Sequence, residues 1–300
     1  MKGKKEIKNI AASIKERLRN ISVQNGKEFQ SVIGQYVQER FLYRLSQSAY
    51  SNNLILKGAL LFIAHNISRN RPTKDIDFLG SKIPNQIDDL VDVIKDILNI
   101  KIDDGLRFDP DSIEAEYINE NGDYKGIRIK FNVYLENSRH RAQLDIGFGD
   151  IITPGPLEIE FPTLLDFPSP KIKVYPIETA IAEKLEAIVS FQLQTSRMKD
   201  FYDILFFAEQ YKFNKENLAS SIKSTFNNRS TDLELINKLF DNRFKQDEGF
   251  QNLWKAFLNR NQLDSIQNFS DVVSRIQSFI QPVFISTSKN IWNPKKWYWE

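Results

Sequence analysis

One stretch of the sequence, from Leu54 to Leu79, constrains the fold of this chain more than any other. It reads LILKGALLFIAHNISRNRPTKDIDFL. It predicts, in order, a short strand, a tight turn at Lys57-Gly58, an apolar helix over Ala59–His65, a polar loop and a second strand over Lys74–Leu79. This strand–turn–helix–strand unit is the framework on which we place the other segments of the chain.

The second strand of this unit carries two acidic residues, Asp75 and Asp77. Because side chains alternate along a strand, we expect both carboxylates on one face, with Ile76 and Phe78 on the core face. Two residues of rise separate the two acids by roughly 6–7 Å at the backbone, so both can reach one cation. Gly58 stands where the backbone can approach closely and where helical N–H groups can bind an anion. An anion cradle beside paired carboxylates predicts nucleotide chemistry.

The composition excludes several other kinds of functional site. The 300-residue chain is 41% hydrophobic and 27% charged, as in an ordinary globular protein, and has two histidines and no cysteine. These counts exclude a disulfide framework, a thiol nucleophile, a cysteine-ligated zinc site and a multi-histidine metal centre. The net charge of +2 predicts no global attraction to nucleic acid. No apolar run approaches membrane-spanning length and no secretion signal is recognisable, so we expect a cytoplasmic protein without a membrane partner.

The remaining segments predict an α+β fold with a mixed sheet. Apolar residues at helical spacing indicate helices up to about Ser51, and Phe108–Tyr117 has the pattern of an irregular strand. Strict alternation in GIRIKFNVYLE, which begins at Gly126, predicts the clearest strand of the chain. A polar turn then leads to another strand over Arg141–Phe148, so we expect these two strands to form a hairpin.

A proline-rich passage follows the predicted sheet. Its six prolines, from Pro154 to Pro176, predict an extended connector on the surface, because proline removes a backbone N–H and breaks helices. From Ile177 onward the patterns are helical, with no convincing strand. We therefore predict one domain over residues 1–170 and a C-terminal helical domain over residues 171–300. Three tryptophans near the C-terminus predict that the tail packs on the body, because exposing them is costly.

Asp145 is a candidate third acid of the site, on the polar face of the predicted Arg141–Phe148 strand. If that strand neighbours the strand with Asp75 and Asp77, the three carboxylates converge. Like charges this close would raise one pKa unless a divalent metal offsets them. Oxygen ligands without cysteine or histidine favour Mg²⁺ or Mn²⁺. The alternative is a structural aspartate in a glycine-rich turn.

Lys184 is a candidate phosphate ligand from the helical part of the chain. It lies on the apolar face of its predicted helix, where a lysine must snorkel or meet an anion. The alternative is a salt bridge to a carboxylate at the edge of the core. Asp200 and Asp203 share one face of the next predicted helix and are candidate partners. Each is also compatible with an ordinary surface charge.

Six segments, in this order along the chain, resemble the AbiEii/AbiGii family of nucleotidyltransferase toxins, relatives of the MenT toxins. They are LKGALLF (Leu56–Phe62), RPTKDIDFLG (Arg71–Gly80), YKGIRI (Tyr124–Ile129), QLDIGFGD (Gln143–Asp150), YPIETAIAEKLEAIV (Tyr175–Val189) and SRMKDFYDIL (Ser196–Leu205). Each segment is weakly specific by itself, whereas six in the same order are strongly specific. With the helical tail, the resemblance covers nearly the whole chain.

The resemblance implies a polymerase-β-like nucleotidyltransferase core over residues 1–170, followed by an α-helical bundle over residues 171–300. Members of the family act as toxins in abortive-infection, phage-defence toxin–antitoxin pairs, and characterised relatives add nucleotides to tRNA acceptor ends. For this chain it therefore implies an NTP substrate, Mg²⁺ or Mn²⁺, an RNA acceptor of the tRNA class and a cognate antitoxin, which acts directly or indirectly.

The resemblance also assigns roles to matching positions. The metal ligands would be Asp75, Asp77 and Asp145, the last completing the site or acting as a base. Contacts to the nucleotide would come from Lys57, Gly58, Ala59, Arg71 and Lys184, and the carboxylate of the last motif would be Asp200 or Asp203. Ala59 departs from the family pattern of a small polar residue or a second glycine. Its backbone N–H remains, but a hydroxyl contact to phosphate is lost.

Two other functions are compatible with the same residues. One is nucleotidyl or phosphoryl transfer to a protein side chain, because the same phosphate cradle serves either acceptor. The other is a non-catalytic nucleotide sensor or interaction protein with a degenerate nucleotidyltransferase fold, which only Ala59 favours. Label on protein would indicate the first, and tight NTP binding without pyrophosphate release would indicate the second.

Overall fold

The structure is a computed structural model that describes residues 9–66, 73–120, 124–191, 196–263, 268–286 and 288–300, with no side-chain description at residues 119, 120, 124 and 125. The chain divides into two compact units. The first comprises the residues up to Gly149 together with Leu157–Val174. The second comprises Asp150–Pro156 together with Tyr175–Glu300.

A mixed seven-stranded sheet with helices forms the first unit, which confirms the predicted α+β class. Its strands are β1 (Leu54–Lys57), β2 (Asp75–Gly80), β3 (Leu106–Glu120), β4 (Tyr124–Leu135), β5 (Ser138–Phe148), β6 (Leu157–Glu160) and β7 (Lys171–Val174). Its helices are α1 (Ile10–Gln24), α2 (Phe29–Ser46), α3 (Leu61–Ala64) and α4 (Ile87–Leu98). The strand order is β3-β4-β5-β2-β1-β7-β6, with β2 parallel to β5, β1 parallel to β7 and the other pairs antiparallel.

The core of this unit lies between the inward face of the sheet and α2. Phe41 of α2 packs between Phe78 of β2 and Phe131 of β4, with ring centroids 6.2 and 5.8 Å apart respectively. All three side chains are fully buried. The alternation predicted for β4 is present, since its inward side chains are buried while its outward ones are partly exposed. The inward face thus supplies the hydrophobic core and leaves the outward face free for polar residues.

Two sequence-based expectations about the local structure of the first unit are wrong. The predicted helix over Ala59–His65 is a 3-10 turn, Gly58–Leu60, followed by the four-residue α3. The predicted surface connector contains β6 and β7, and β7 pairs with β1. Ile172 and Val174 of β7 are buried, which is why this short segment joins the sheet although prolines surround it.

β3 is irregular, as predicted, because its pairing with β4 shifts register between Asp109 and Glu114. Pro110 lies in the shifted segment and, because it has no backbone N–H, cannot donate a hydrogen bond to a regular ladder. Ser112 compensates for part of this loss, because its hydroxyl accepts a hydrogen bond from the Asn132 backbone N–H at 2.8 Å.

Helices make up most of the second unit. They are α5 (Ile177–Phe191), α6 (Met198–Gln210), α7 (Lys215–Asn228), α8 (Ile236–Leu239), α9 (Asn242–Gln246), α10 (Glu248–Asn261) and α11 (Phe269–Ile280). The prediction of no strand in this region is wrong, since β8 (Trp292–Asn293) pairs with β9 (Tyr298–Trp299). Among the helices in the described part of the chain, none combines the length and apolarity needed to cross a membrane.

The C-terminal hairpin packs on the second unit through its tryptophans, as expected for large apolar side chains. Trp292 and Trp299 are buried. Each indole N–H donates to a backbone carbonyl, Trp292 to Ala208 at 2.7 Å and Trp299 to Phe279 at 2.9 Å. The polar edges of both rings are therefore satisfied inside the core.

Candidate active site

Three carboxylates converge on the outward face of the sheet, where β2 and β5 lie side by side. The two strands are parallel, and Asp77 stands directly opposite Asp145. Asp75 precedes Asp77 by two residues and therefore lies on the same face of β2. Asp75, Asp77 and Asp145 each offer one oxygen atom, and these three atoms all lie within 4.8 Å of one another. A donor set of carboxylate oxygens at this spacing fits a hard divalent cation such as Mg²⁺ or Mn²⁺.

Asp145 is fixed by two neighbours that the sequence reasoning did not single out. Arg128 of β4, directly opposite in the ladder, donates to both oxygens of Asp145, from Nε at 2.8 Å and from a terminal nitrogen at 2.7 Å. The Gln143 amide adds longer contacts of 3.1 and 3.3 Å. This bidentate pair holds a carboxylate that is only 6% exposed. Strand alternation placed Arg128 on the polar face, but only the hairpin register reveals its partner.

The other two carboxylates are positioned by the segments that precede them. The Thr73 hydroxyl donates to Asp75 Oδ1 at 2.7 Å, which fixes that side chain at the start of β2. Asp77 lies against Gly58, whose φ is +68°. A Cβ at Gly58 would overlap the Asp77 carboxylate, and the positive φ would strain any other residue. The close backbone approach expected at Gly58 is therefore an approach to Asp77.

The candidate phosphate-contacting residues of the first unit lie around this turn. Lys57 stands opposite Asp77 in the β1–β2 ladder and is buried. Ala59 is also buried, in the 3-10 turn that follows Gly58. Arg71, another candidate, lies outside the described residues.

Lys184 lies in the second unit and forms ion pairs with two aspartates of α6. Its ammonium group donates to Asp200 at 2.9 Å and to Asp203 at 2.8 Å, and both carboxylates are buried. Arg197 adds a second contact to Asp200 at 2.6 Å. The pairing that the sequence offered as the alternative to a phosphate ligand is therefore present. Contact of Lys184 with a nucleotide stays a prediction.

The ion pairs decide the charge state of this cluster. Burial opposes the charged form of Lys184, but Asp200 and Asp203 outweigh it and raise the pKa of the lysine. Burial likewise works to raise the pKa of Asp200, but Lys184 and Arg197 outweigh it and lower that pKa. Lys184 and Asp200 are thus charged at neutral pH. The third N–H of the lysine remains as a donor beyond its two ion pairs.

Comparison with known proteins identifies the family. The family model of the AbiEii nucleotidyl transferase toxin of type IV toxin–antitoxin systems matches residues 40–275. The chain belongs to the AbiEii family. This span contains the three convergent carboxylates, the Gly58 turn and the Lys184 cluster. The resemblance found in the sequence is confirmed, and with it the assignment of the protein as a nucleotidyltransferase.

Two solved structures from Helicobacter pylori are similar to this AbiEii protein. The JHP933 protein is 16% identical over 85% of this chain and 92% of its own, with a TM-score of 0.49. A second protein, which carries a provisional nucleotidyltransferase designation, is 17% identical over 85% of this chain and 95% of its own, with a TM-score of 0.45. No curated protein matches the chain.

Membership in the AbiEii family implies two kinds of partner. A nucleotidyltransferase takes a nucleotide as substrate, and a toxin of a type IV toxin–antitoxin system has a cognate antitoxin. Enzymes of this class generally work with a divalent metal, and the three carboxylates are the residues that fit one.

Proposed function

We propose that this AbiEii protein transfers an NMP from an NTP to RNA, at the 3′ acceptor end of tRNA, with Mg²⁺ or Mn²⁺ as its metal. The observation that carries the reaction is the convergence of Asp75, Asp77 and Asp145 beside the Gly58 turn. The acceptor rests on the family resemblance. The biological role that follows is that of a cytoplasmic toxin in abortive infection, restrained by an antitoxin that acts directly or indirectly.

In this proposal Asp75 and Asp77 hold the metal, and their fixed positions supply the site without rearrangement. When bound, the metal offsets the negative charge of the reacting phosphates and of the three carboxylates. Lys57, Arg71 and Lys184 bind phosphate oxygens of the NTP. Gly58 and Ala59 offer backbone N–H groups at the turn. Held by these cations and N–H groups, the α-phosphate would be attacked in line by the acceptor hydroxyl. The new P–O bond forms as the bond to pyrophosphate breaks, pyrophosphate leaves, and the hydroxyl proton passes to water.

We assign Asp145 to completing the metal site and not to general base catalysis. Both of its oxygens already accept hydrogen bonds from Arg128. Each oxygen keeps a further lone pair, and a cation held by Asp75 and Asp77 would occupy it in place of an acceptor hydroxyl, because one oxygen of each of the three acids lies within 4.8 Å of the other two.

A transfer assay tests the proposal. Purified protein, Mg²⁺ and total tRNA are incubated with each α-labelled NTP in turn, beside an Asp75→Ala/Asp77→Ala variant whose fold is checked by circular dichroism. We expect label on tRNA that depends on both aspartates and on Mg²⁺, with loss of at least about 10³-fold in the variant because metal binding is removed.

The other outcomes of the assay separate the alternatives. Label that is sensitive to protease and not to RNase would replace the tRNA acceptor with a protein. NTP binding without pyrophosphate release would overturn the catalytic assignment in favour of a sensor. Full activity of the double variant would show that the metal site is elsewhere.

A further inference from the structure

The outward face of β4 and β5 continues directly from the three carboxylates. Register places Arg128 opposite Asp145, Lys130 opposite Gln143, Asn132 opposite Arg141 and Tyr134 opposite Arg139. These pairs form successive rungs, and rungs that share one face of a sheet are about 7 Å apart along the strands. The side chains on these rungs beyond Asp145 are partly or fully exposed. An open polar track thus starts at the candidate active site and runs toward the β4–β5 turn.

This track is strongly basic although the whole chain is nearly neutral. Beyond Asp145, its charged residues on β4 and β5 are all cations, namely Arg128, Lys130, Arg139 and Arg141. The acidic residues that pair with two of these cations, Glu114 and Glu116, lie on the edge strand β3. The positive charge is therefore concentrated on two adjacent strands with an acidic border on one side.

The cations beyond Arg128 are available to an anionic ligand. Arg139 is exposed and forms no ion pair with any residue the structure describes. Lys130 pairs with Glu116 at 2.9 Å, and Arg141 pairs with Glu114. Both glutamates are more than half exposed. Exposed pairs of this kind contribute about 0–1 kcal/mol, so a phosphate can displace the glutamates at little cost.

We propose that the outward face of β4 and β5 binds the acceptor strand of a single-stranded RNA, with its phosphates on Lys130, Arg141 and Arg139 and its reacting end at the three aspartates. This inference rests on the proposed function and adds a binding surface to it. Charge complementarity and continuity with the carboxylates favour a phosphate backbone as occupant.

The spacing of the cations supports a track along the strands. Lys130 lies one rung from Arg128 and Asp145, Arg141 lies two rungs away, and Arg139 lies three. With about 3.4 Å per residue, these rungs span about 20 Å from the active site. A flexible strand of several nucleotides can follow such a line while its terminal hydroxyl stays at the catalytic end. Arg107, stacked 4.0 Å over the Tyr134 ring, closes the far end with a further cation.

RNA binding without NTP tests this surface separately from the chemistry. The probe is a fluorescein-labelled single-stranded RNA of about 12 nucleotides ending in CCA, titrated by fluorescence anisotropy at several salt concentrations. We expect the Lys130→Gln/Arg139→Gln/Arg141→Gln variant to bind at least about tenfold more weakly. The slope of log K against log salt should fall by about 2, at about 0.7 per lost phosphate contact.

A matched control removes two cations from the helical side of the sheet. Arg17 of α1 is exposed and pairs with Asp166 at 3.2 Å, and Lys95 of α4 is partly exposed and pairs with Asp92 at 3.4 Å. The Arg17→Gln/Lys95→Gln variant should keep the affinity and slope of the unmodified protein. If the two variants lose affinity equally, or if neither does, the β4–β5 surface is overturned. Melting temperatures of both variants exclude unfolding as the cause of a difference.

Kinetics separate a failure of this inference from a failure of the proposed function. In the transfer assay, the Lys130→Gln/Arg139→Gln/Arg141→Gln variant, called the β4–β5 variant below, should show a raised KM for tRNA and an unchanged KM for NTP. Transfer that occurs with an unaltered KM for tRNA would overturn the RNA surface and leave the function standing. Absence of transfer, with RNA affinity still lost in the β4–β5 variant, would overturn the function and leave the surface standing.

Discussion

Arg128 places a fixed positive charge directly against Asp145, in a site where three carboxylates lie together. Its two hydrogen bonds, at 2.8 and 2.7 Å, hold the acid in place before any metal enters. A buried carboxylate beside two others is costly without such a partner. Arg128 therefore stabilises the assembled site, and a bound cation would also offset part of the negative charge of the three carboxylates.

Replacement of Arg128 tests this role. We expect Arg128→Met to lower the free energy of unfolding by about 1–3 kcal/mol, since Asp145 loses its charged donor. Added Mn²⁺ should recover more stability in the variant than in the unmodified protein, because the cation offsets the same charge. Thermal unfolding with and without Mn²⁺ measures both effects. Arg139→Met, which removes an exposed arginine from the same hairpin, serves as the control.

An equal loss with and without Mn²⁺ would show that Arg128 acts independently of the metal site.

The sequence predicts the close backbone approach at Gly58 and the placement of Asp75 and Asp77 on one face of their strand, because both follow from local rules. It left Arg128, Gln143 and Thr73 unassigned, since their roles depend on which strand lies beside which.

Among the helices and strands, those with a long sequence pattern are predicted and those with a short one are not. The strand β4 shows alternation over many residues, and the segments of α1 and α2 show apolar residues at helical spacing, so the sequence predicts both kinds of element. β7 has four residues between prolines, and its pairing with β1 is a contact with a distant part of the chain. No local pattern encodes such a contact. The sequence predicts a longer helix at the Gly58–Leu60 turn because the apolar residues there suit either structure.

The pairing of α5 with α6 through Lys184 gives a prediction at the same scale. Lys184→Met leaves two buried aspartates, Asp200 and Asp203, without their shared cation, which should cost about 3–5 kcal/mol of stability. Loss of activity in this variant alone therefore says nothing about nucleotide contact. The triple variant Lys184→Met/Asp200→Asn/Asp203→Asn removes the buried charges together and should regain most of the stability.

The triple variant separates the two roles of Lys184. If the lysine also binds phosphate, the KM for NTP should stay raised by about tenfold or more, since a charge-assisted hydrogen bond contributes about 1.5–3 kcal/mol. Steady-state kinetics and chemical unfolding of the single and triple variants supply the two readouts. If the triple variant has the same KM for NTP as the unmodified protein, Lys184 has a structural role and does not bind the nucleotide.

Across the whole molecule, buried charge is not confined to the candidate site. α2 carries Glu39, Arg40 and Arg44 into the interior of the first unit, where both arginines bind Asp104. The periodicity of α2 marked its apolar stripe but not the burial of these charges, because burial depends on what packs over the helix. Glu39 lies 3.5 Å from Arg40 and accepts a hydrogen bond from the Leu164 N–H at 2.7 Å.

Glu39 should make the stability of the first unit depend on pH. Burial raises the pKa of Glu39 from 4.5 to about 7, against the lowering effects of the Leu164 hydrogen bond and of Arg40. The folded state then binds this proton more tightly than the unfolded state. The contribution of Glu39 is therefore fully present below pH 4.5 and is lost as the pH rises through 7, by about 3 kcal/mol in total.

The Glu39→Gln variant isolates this effect, because glutamine keeps an acceptor for the Leu164 N–H but cannot ionise. The difference in free energy of unfolding between the variant and the unmodified protein should move in favour of the variant by about 1.4 kcal/mol per pH unit between pH 5 and 7. Urea unfolding across that range measures the difference, in which all other titrating groups cancel. A constant difference would mean that Arg40 keeps Glu39 ionised in the folded state, as it is in the unfolded state, and that ionisation of Glu39 does not weaken the first unit in this pH range.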